Sequence, residues 1–477
     1  MGSRKVTSSA PVDWQGKHVT VAGLGVSGLP AAKALHARGA NVTVVNDGDD
    51  ARAREQAAEL EALGITVRLG DGATLPEGTG LVVTAPGWKP DKPLFTAARE
   101  AGVEIWGDVE LAWRLRGPDA APWLAITGTN GKTTTTQMLA SILKAAGLRT
   151  AAVGNIGVSV LDAVLGDEQY DVLAVELSSY QLHWAPSLRA HSAAVLNLAP
   201  DHLDWHGSME AYAADKGRVY EGNRVACVYN VADKATEDLV READVEEGCR
   251  AVGFTLGTPG PSQLGVVEGI LVDRAFVENR QKNAQELAEV SDVRPSAPHN
   301  IANALAAAAL ARAFGVPASA VRDGLRNFTP DAHRIAHVAD VAEVAYVDDS
   351  KATNTHAAQA SLAAYESIVW IAGGLAKGAT FDELVAKSAK RLRGVVLIGQ
   401  DRALIREALA RHAPEVPVVD LDRTDTGAML AAVREATRLA VSGDTVLLAP
   451  ACASMDMFAN YNKRGDAFAE AVRELGS

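Results

Sequence analysis

Residues 128–134 read Gly-Thr-Asn-Gly-Lys-Thr-Thr and follow the apolar run WLAIT. The residue types suit phosphate chemistry. Glycines let backbone N–H groups approach an anion, and a helix start behind the turn supplies further donors. A lysine reaches outer phosphates, and a threonine hydroxyl can ligate Mg²⁺. Gly128, Thr129, Asn130, Gly131, Lys132, Thr133 and Thr134 supply these parts, but the spacing is short. A G-x-x-x-x-G-K-[ST] loop would place its first glycine at 126, where Ile126 stands. Met138, Leu139, Ile142 and Leu143 recur at helical spacing after the loop, and Gly147 supplies a stop, so a helix is expected there.

Other apolar runs also end in polar residues. Asn155 follows RTAAVG, Glu176 closes VLAV, and Asp201 and His202 follow HSAAVLNLAP. In an open α/β sheet, ligands bind beyond the carboxyl ends of the strands, so these residues and Lys132 should share one edge. A carboxylate ending an apolar strand is costly unless paired or metal-bound. Opposite a triphosphate, Mg²⁺ is its natural partner. In that company His202 reads as a metal or phosphate ligand, whereas His206 has no such placement and reads as structural. Lys216 lies in SMEAYAADKGRVY, where the pattern alone gives a solvated helix face.

A second glycine loop, Gly23-Leu24-Gly25-Val26-Ser27-Gly28, follows the strand-like HVTVA. It has the dinucleotide spacing, but Asn46 stands where an acidic residue would favour NAD. The loop still suits any diphosphate, through Gly25, Val26, Ser27 and Gly28. Near the carboxyl end, Asp349 and Lys351 in DDSKATN, Lys377 in GGLAKG and Ser454 in PACASMD offer cations and hydroxyls to an anionic small molecule. Together these features suggest that ATP activates a substrate anchored by its own diphosphate, which then meets a second anionic substrate. An NAD-dependent oxidoreductase would leave residues 128–133 unexplained, and a non-catalytic nucleotide-binding regulator is a further alternative.

The elements that must position these residues repeat three times. Val/Ile/Leu-rich segments run into Gly-rich or polar turns and then into Ala/Leu-rich helices, which predicts parallel sheets covered by helices. The expected fold is α/β in three domains: 1–118 Rossmann-like, 119–328 P-loop-type and 329–477 Rossmann-like. The Gly-Pro-rich RGPDAAP marks the first boundary, and about residues 248–298 small strands and loops are expected as an insertion. A length of 477 residues accommodates three such cores. The formal charge of −13 argues against a nucleic-acid partner. Cys227, Cys249 and Cys452 form no CxxC pair and read as structural thiols in a reducing compartment. MGSRKVTSSAPVDWQG lacks an apolar core, and no apolar run reaches membrane-spanning length, so a cytoplasmic protein without a membrane partner is expected.

GTNGKTTT, ELSSYQL, DHLDWHG with a lysine in the following helix, PHNIANALAA, AHR, DDSKATN and PACASMDMFANYNKRG together resemble the Mur ligase family of peptidoglycan biosynthesis. The resemblance covers essentially the whole chain, and GTNGK[ST] is that family's own phosphate loop. GLGVSG, SKATN and ACAS point within it to addition of D-glutamate to UDP-N-acetylmuramoyl-L-alanine through an acyl phosphate, a step in cell-wall synthesis that bears on cell shape and division. Another family ligase or a folylpolyglutamate synthase is the nearest alternative, the latter disfavoured by GLGVSG.

The resemblance implies ATP and two Mg²⁺ ions. Residues 128–134 would hold the phosphates, with Lys132 catalytic and Thr133 and Glu176 on one ion. His202 and Lys216, both catalytic, would serve the second, Lys216 as a carbamate. Asn303 would meet adenine, Arg334 the phosphates and Asp349 the ribose. Gly25, Val26, Ser27, Gly28, Asn155 and His202 would contact the UDP substrate, and Lys351, Thr353, Lys377, Ser454 and Tyr461 would receive glutamate. A monomer is expected. The chain departs from the family pattern at Asn46-Asp47-Gly48, where Asp-Thr-Arg is frequent, and at Tyr461, where Phe is usual.

Overall fold

The computed structural model describes residues 12–330, 332–423, 425 and 427–475. The polar amino-terminal stretch therefore lies mostly outside the described residues. The chain divides into two compact units, one formed by Met1–Val293 with Ile301–Phe328 and the other by Arg294–Asn300 with Thr329–Ser477. Three sheets are distributed between them, two in the first unit and one in the second.

The first sheet contains β1 (His18–Ala22), β2 (Asn41–Asn46), β3 (Thr66–Leu69), β4 (Leu81–Thr84) and β5 (Glu104–Gly107). It is wholly parallel in the order β3-β2-β1-β4-β5. The second sheet contains β6 (Trp123–Thr127), β7 (Ala152–Gly154), β8 (Leu173–Glu176), β9 (Ser192–Val195), β10 (Ala226–Asn230), β11 (Arg250–Phe254), β12 (Gln263–Val267), β13 (Ile270–Asp273) and β14 (Gln285–Glu289). Its order is β14-β13-β12-β11-β10-β9-β6-β8-β7. Strands β6, β8 and β9 are buried at every position, as expected of parallel strands covered on both faces.

The segment 248–298 carries four short strands, as expected, but they extend this sheet rather than forming a separate insertion. Strand β11 continues the parallel pairing from β10 and β12 pairs parallel with β11, after which β13 and β14 add antiparallel hairpin strands. Residues Ala304–Ala311 are completely buried, so this central stretch of the Ala-rich helix Pro298–Ala313 is apolar all round because it is enclosed. No described helix is long and apolar enough to cross a membrane.

The first two sheets share a packed seam. Gly107 N–H donates to Trp184 O at 2.9 Å, and a Cβ on Gly107 would lie 2.9 Å from Trp184 Cβ. Phe95 packs against the Trp184 ring at 5.2 Å. The buried Glu110 accepts from Arg114 Nε at 2.7 Å, from Ser187 N at 2.9 Å and from the Ser187 hydroxyl.

The third sheet contains β15 (Ala336–Val341), β16 (Val344–Asp348), β17 (Ile368–Gly373), β18 (Leu392–Ile398), β19 (Val418–Asp420) and β20 (Thr445–Leu448). Its order is β15-β16-β20-β17-β18-β19, parallel except for the β15–β16 hairpin.

Candidate active site

Strands β9, β6, β8 and β7 are consecutive neighbours, so the turns leaving their carboxyl ends meet. The loop after β6 bends at Gly128 (φ +150°) and Gly131 (φ +83°) into the helix Lys132–Ala145. Gly131, lacking a side chain, occupies the N-cap position of that helix, so the turn brings backbone N–H groups to the helix start. A Cβ on Gly131 would run into Asn303 Oδ1, so the glycine permits a close approach as well as the turn. Asn197, just after β9, braces the loop: its Oδ1 accepts from Asn130 N at 2.8 Å and its Nδ2 donates to Asn130 O at 3.1 Å. Thr129 is tied to Ala199 and lies 3.0 Å from the Tyr212 hydroxyl.

Two lysines converge on this loop. Lys132 Nζ donates to Gly128 O and Thr129 O at 2.9 Å, while Lys216 Nζ donates to the same Gly128 O at 2.9 Å and to Thr127 Oγ1 at 3.3 Å. The solvated-face reading of Lys216 fails because the helix Met209–Gly217 turns that face inward, leaving Lys216 1% exposed. Its ammonium lies 4.8 Å from the Tyr212 ring centre. Burial, followed by the positive charge of Lys132, holds the Lys216 amine well below the ordinary lysine range, against the pull of Asp201 and Glu176.

Glu176 ends β8 and is 1% exposed. Its Oε1 accepts from Asn155 Nδ2 at 2.8 Å, but its buried Oε2 has no hydrogen-bond partner among the described residues. Such an orphaned oxygen costs about 1–3 kcal/mol unless something binds it. No group of three or more His, Cys, Asp or Glu side chains among the described residues could alone hold a metal. One carboxylate beside a glycine turn that opens a helix instead fits Mg²⁺, which commonly takes one or two carboxylates together with substrate phosphates.

His202 adopts a left-handed conformation (φ 54°) and begins the helix Leu203–His206. Burial, opposed by Asp201, lowers its pKa and favours the neutral imidazole. Its ring lies 4.8 Å from Tyr180. His206 is structural: Nδ1 meets Asp215 at 2.9 Å, Nε2 meets Ser179 at 2.9 Å, and the ring stacks on Tyr180. Asp215 also meets His183 Nδ1 and Arg218, tying together the short elements that carry His202 and Lys216.

The loop after β1 exposes Val26, which is 80% accessible, and opens the helix Gly28–His36. Ser27 Oγ donates to Asp108 Oδ2 at 2.8 Å, and Leu24 N donates to Asn46 Oδ1 at 3.0 Å. Asn46 thus shapes the loop, while its neighbour Asp47 pairs with Lys92. A Cβ on Gly28 would clash with Gly23 O, which accounts for the last glycine of the motif.

In the second unit, backbone bonds stitch together three strand-end turns. Ala451 N donates to Ala352 O at 2.9 Å, and Leu375 and Ala453 form an antiparallel bridge. Lys351, Thr353, Lys377 and Ser454 therefore occupy adjoining turns, with Lys377 left-handed at φ 50°. Lys351 Nζ lies 4.0 Å from the Tyr461 ring centre. Asp349 is buried, accepts from Ser361 and is pushed up to about 6, primarily by desolvation, with Arg334 pulling the other way.

Residues 17–107 match the N-terminal domain described as Mur ligase MurD-like, 126–311 match the Mur ligase middle domain, and 333–452 match the Mur ligase glutamate ligase domain. The chain belongs to the Mur ligase family. It is 88% identical to the UDP-N-acetylmuramoylalanine--D-glutamate ligase of Streptomyces avermitilis, over 98% of this chain and 100% of the relative. Identity to the Thermobifida fusca protein of the same name is 60%, over 97% and 100% of the respective chains. Among solved structures, Thermotoga maritima MurF in complex with ADP aligns at a TM-score of 0.55 and 16% identity, over 97% of this chain and 96% of that one. That last likeness is one of fold.

Within this Mur ligase, Lys132, Asn155, Glu176 and His202 come from different strand ends on one edge of the second sheet, and Lys216 reaches that edge from the helix Met209–Gly217. Asn303 lies against Gly131, whereas Arg334 and Asp349 belong to the second unit. Sequence reasoning missed Asn197, Asp108 and Asp215. The strand-end rule that selected Asn155 applies equally to Asn197 after β9 and Asp108 after β5. Asp215 had no comparable signal.

Proposed function

We propose that this chain is an ATP-dependent amide ligase that joins the alanyl carboxyl of UDP-N-acetylmuramoyl-L-alanine to the amine of D-glutamate, in peptidoglycan precursor synthesis. The observation that carries the reading within this fold is the buried Glu176 Oε2, without a hydrogen-bond partner among the described residues, on the same sheet edge as the glycine loop on which two lysines converge. Bound Mg²⁺·ATP supplies the phosphoryl group and the charge neutralisation for in-line transfer. The alanyl carboxylate oxygen takes the γ-phosphoryl group and releases ADP; the glutamate amine then attacks the acyl carbon and phosphate leaves.

The chain's own work is positional and electrostatic. The N–H groups of residues 128–134 and the Lys132 ammonium hold the phosphates, Asn303 the adenine, Arg334 the phosphates from the second unit and Asp349 the ribose. Thr133 and Glu176 would hold one Mg²⁺, with His202 and Lys216 holding a second. The neutral Lys216 amine can attack CO₂, forming a carbamate with loss of a proton and replacing a repelling ammonium with oxygen donors. Gly25, Val26, Ser27 and Gly28 receive the UDP diphosphate, and Asn155 and His202 face the muramoyl end. Lys351, Thr353, Lys377, Ser454 and Tyr461 orient glutamate.

Functional domains at 1–118, 119–328 and 329–477, a monomeric state and a cytoplasmic location belong to this reading. Phosphate release across an amino-acid panel, comparing D- and L-glutamate, tests it. Release should require UDP-N-acetylmuramoyl-L-alanine and be greatest with D-glutamate; equal release without the UDP substrate would overturn it. Lys132→Ala should abolish release in a folded protein.

A further inference from the structure

Cys227 and Cys249 are far apart in the sequence but adjacent in the fold. Cys227 is the second residue of β10 and is buried; Cys249 immediately precedes β11 and is half-buried. Parallel pairing of β10 and β11 brings the sulfurs to 3.9 Å. A disulfide needs about 2.0 Å, so the two Sγ atoms must close by roughly 1.9 Å, a distance that side-chain rotation can supply where backbones are already neighbours. Cys452 is buried in the other unit.

The thiols are chemically unequal. The hydrogen bond from Cys227, opposed by desolvation, holds the Cys249 thiol below the usual range. The same bond and then burial push Cys227 up. The backbone N–H of Arg250 also favours a Cys249 thiolate, while the Glu246 carboxylate opposes it and the Arg250 guanidinium, which donates to Ala275 O at 2.9 Å, supports it. The accessible sulfur is therefore the better nucleophile, with a protonated thiol behind it.

We propose that Cys227 and Cys249 form a reversible disulfide on exposure to a peroxide, with Cys249 reacting first and Cys227 resolving. The Cys249 thiolate attacks one oxygen of hydrogen peroxide and the O–O bond breaks, giving a sulfenic acid and hydroxide, which takes a proton from solvent. The Cys227 sulfur then attacks the sulfenic sulfur, the S–S bond forms, and the S–O bond breaks as water leaves with the Cys227 proton. Two thiols are oxidised while one peroxide is reduced to two waters. Both cysteines lie toward the amino ends of their strands, away from the carboxyl-end loop 128–133, so the crosslink leaves the catalytic edge in place.

The test uses the full chain, treated with hydrogen peroxide and then alkylated in denaturant with N-ethylmaleimide. Alkylatable thiols should fall from three to one. Before alkylation, intact mass should fall by about 2 Da. A non-reduced digest should join the Cys227 and Cys249 peptides, and dithiothreitol should restore all three thiols. Cys227→Ser should accumulate a dimedone-reactive sulfenic acid at Cys249, whereas Cys249→Ser should leave Cys227 and Cys452 both alkylated. Three thiols surviving, Cys249 passing to sulfinic acid with Cys227 still free, or Cys452 reacting first would each overturn the proposal. Turnover lost on oxidation and regained with dithiothreitol would overturn the placement of the pair away from the catalytic edge.

Discussion

Replacing Glu176 with Gln alters a single buried atom at the centre of the proposed site. Glutamine keeps the Oε1 acceptor for Asn155 Nδ2, now 2.8 Å away, and exchanges the orphaned Oε2 for an equally buried amide. One unmet polar group replaces another, so ligand-free stability should change by no more than about 1 kcal/mol. The metal-dependent contribution should change far more. At a free Mg²⁺·ATP concentration 100 times Kd, the wild-type chain gains about 2.7 kcal/mol from ligand binding; a tenfold weaker site at the same concentration gains about 1.4 kcal/mol. Urea denaturation with and without Mg²⁺·ATP measures this difference, and turnover should fall by about 10²-fold or more, as for loss of a preorganised electrostatic contact. The same ligand-induced stabilisation together with undiminished turnover would refute the assignment of Glu176 to the metal.

Lys216→Met should stabilise the fold in CO₂-free buffer while abolishing turnover, with small carboxylates partly restoring Lys216→Ala. Because the folded pKa is depressed below 10.5, the unfolded state binds more protons across the intervening window. Wild-type stability should therefore climb with pH there, and the Met advantage measured by urea denaturation should shrink toward pH 10.5. For Asp349 the sign is opposite. Its folded value of about 6 exceeds 3.8, so the folded state holds the extra proton between these values. Relative to Asp349→Asn, wild type should lose about 3 kcal/mol as pH rises through that window, with the difference flat above it; matched denaturation series would reveal it. Gly131→Ala should cost about 1–2 kcal/mol from its positive φ alone. The clash with Asn303 adds to this and weakens ATP binding in calorimetry.

The three sheets were legible because parallel strands buried on both faces leave continuous apolar runs, as in WLAIT and SIVWIAGG, and turn residues punctuate them. The candidate-site edge was legible for the same reason: strand direction alone puts Lys132, Asn155, Glu176 and His202 at carboxyl ends. The inward face of Lys216 was not visible in its helix pattern, because Ala213, Ala214 and Gly217 give that helix little amphipathic contrast and its burial comes from the neighbouring loop. Segment 248–298 looked like an insertion because its strands are short and its hairpins polar at the turns. Their membership of the central sheet depends on pairing with β10, a relation that residue patterns do not encode.

The seam built from Gly107, Trp184, Phe95 and Glu110 has a practical corollary for dissecting the enzyme. Separating the chain at RGPDAAP would strip cover from the Trp184 indole and leave the Glu110 carboxylate without its Ser187 donors. Each fragment would then carry a sticky aromatic scar, so co-expression of the halves, rather than isolation of either, is the sound route to a soluble truncated protein.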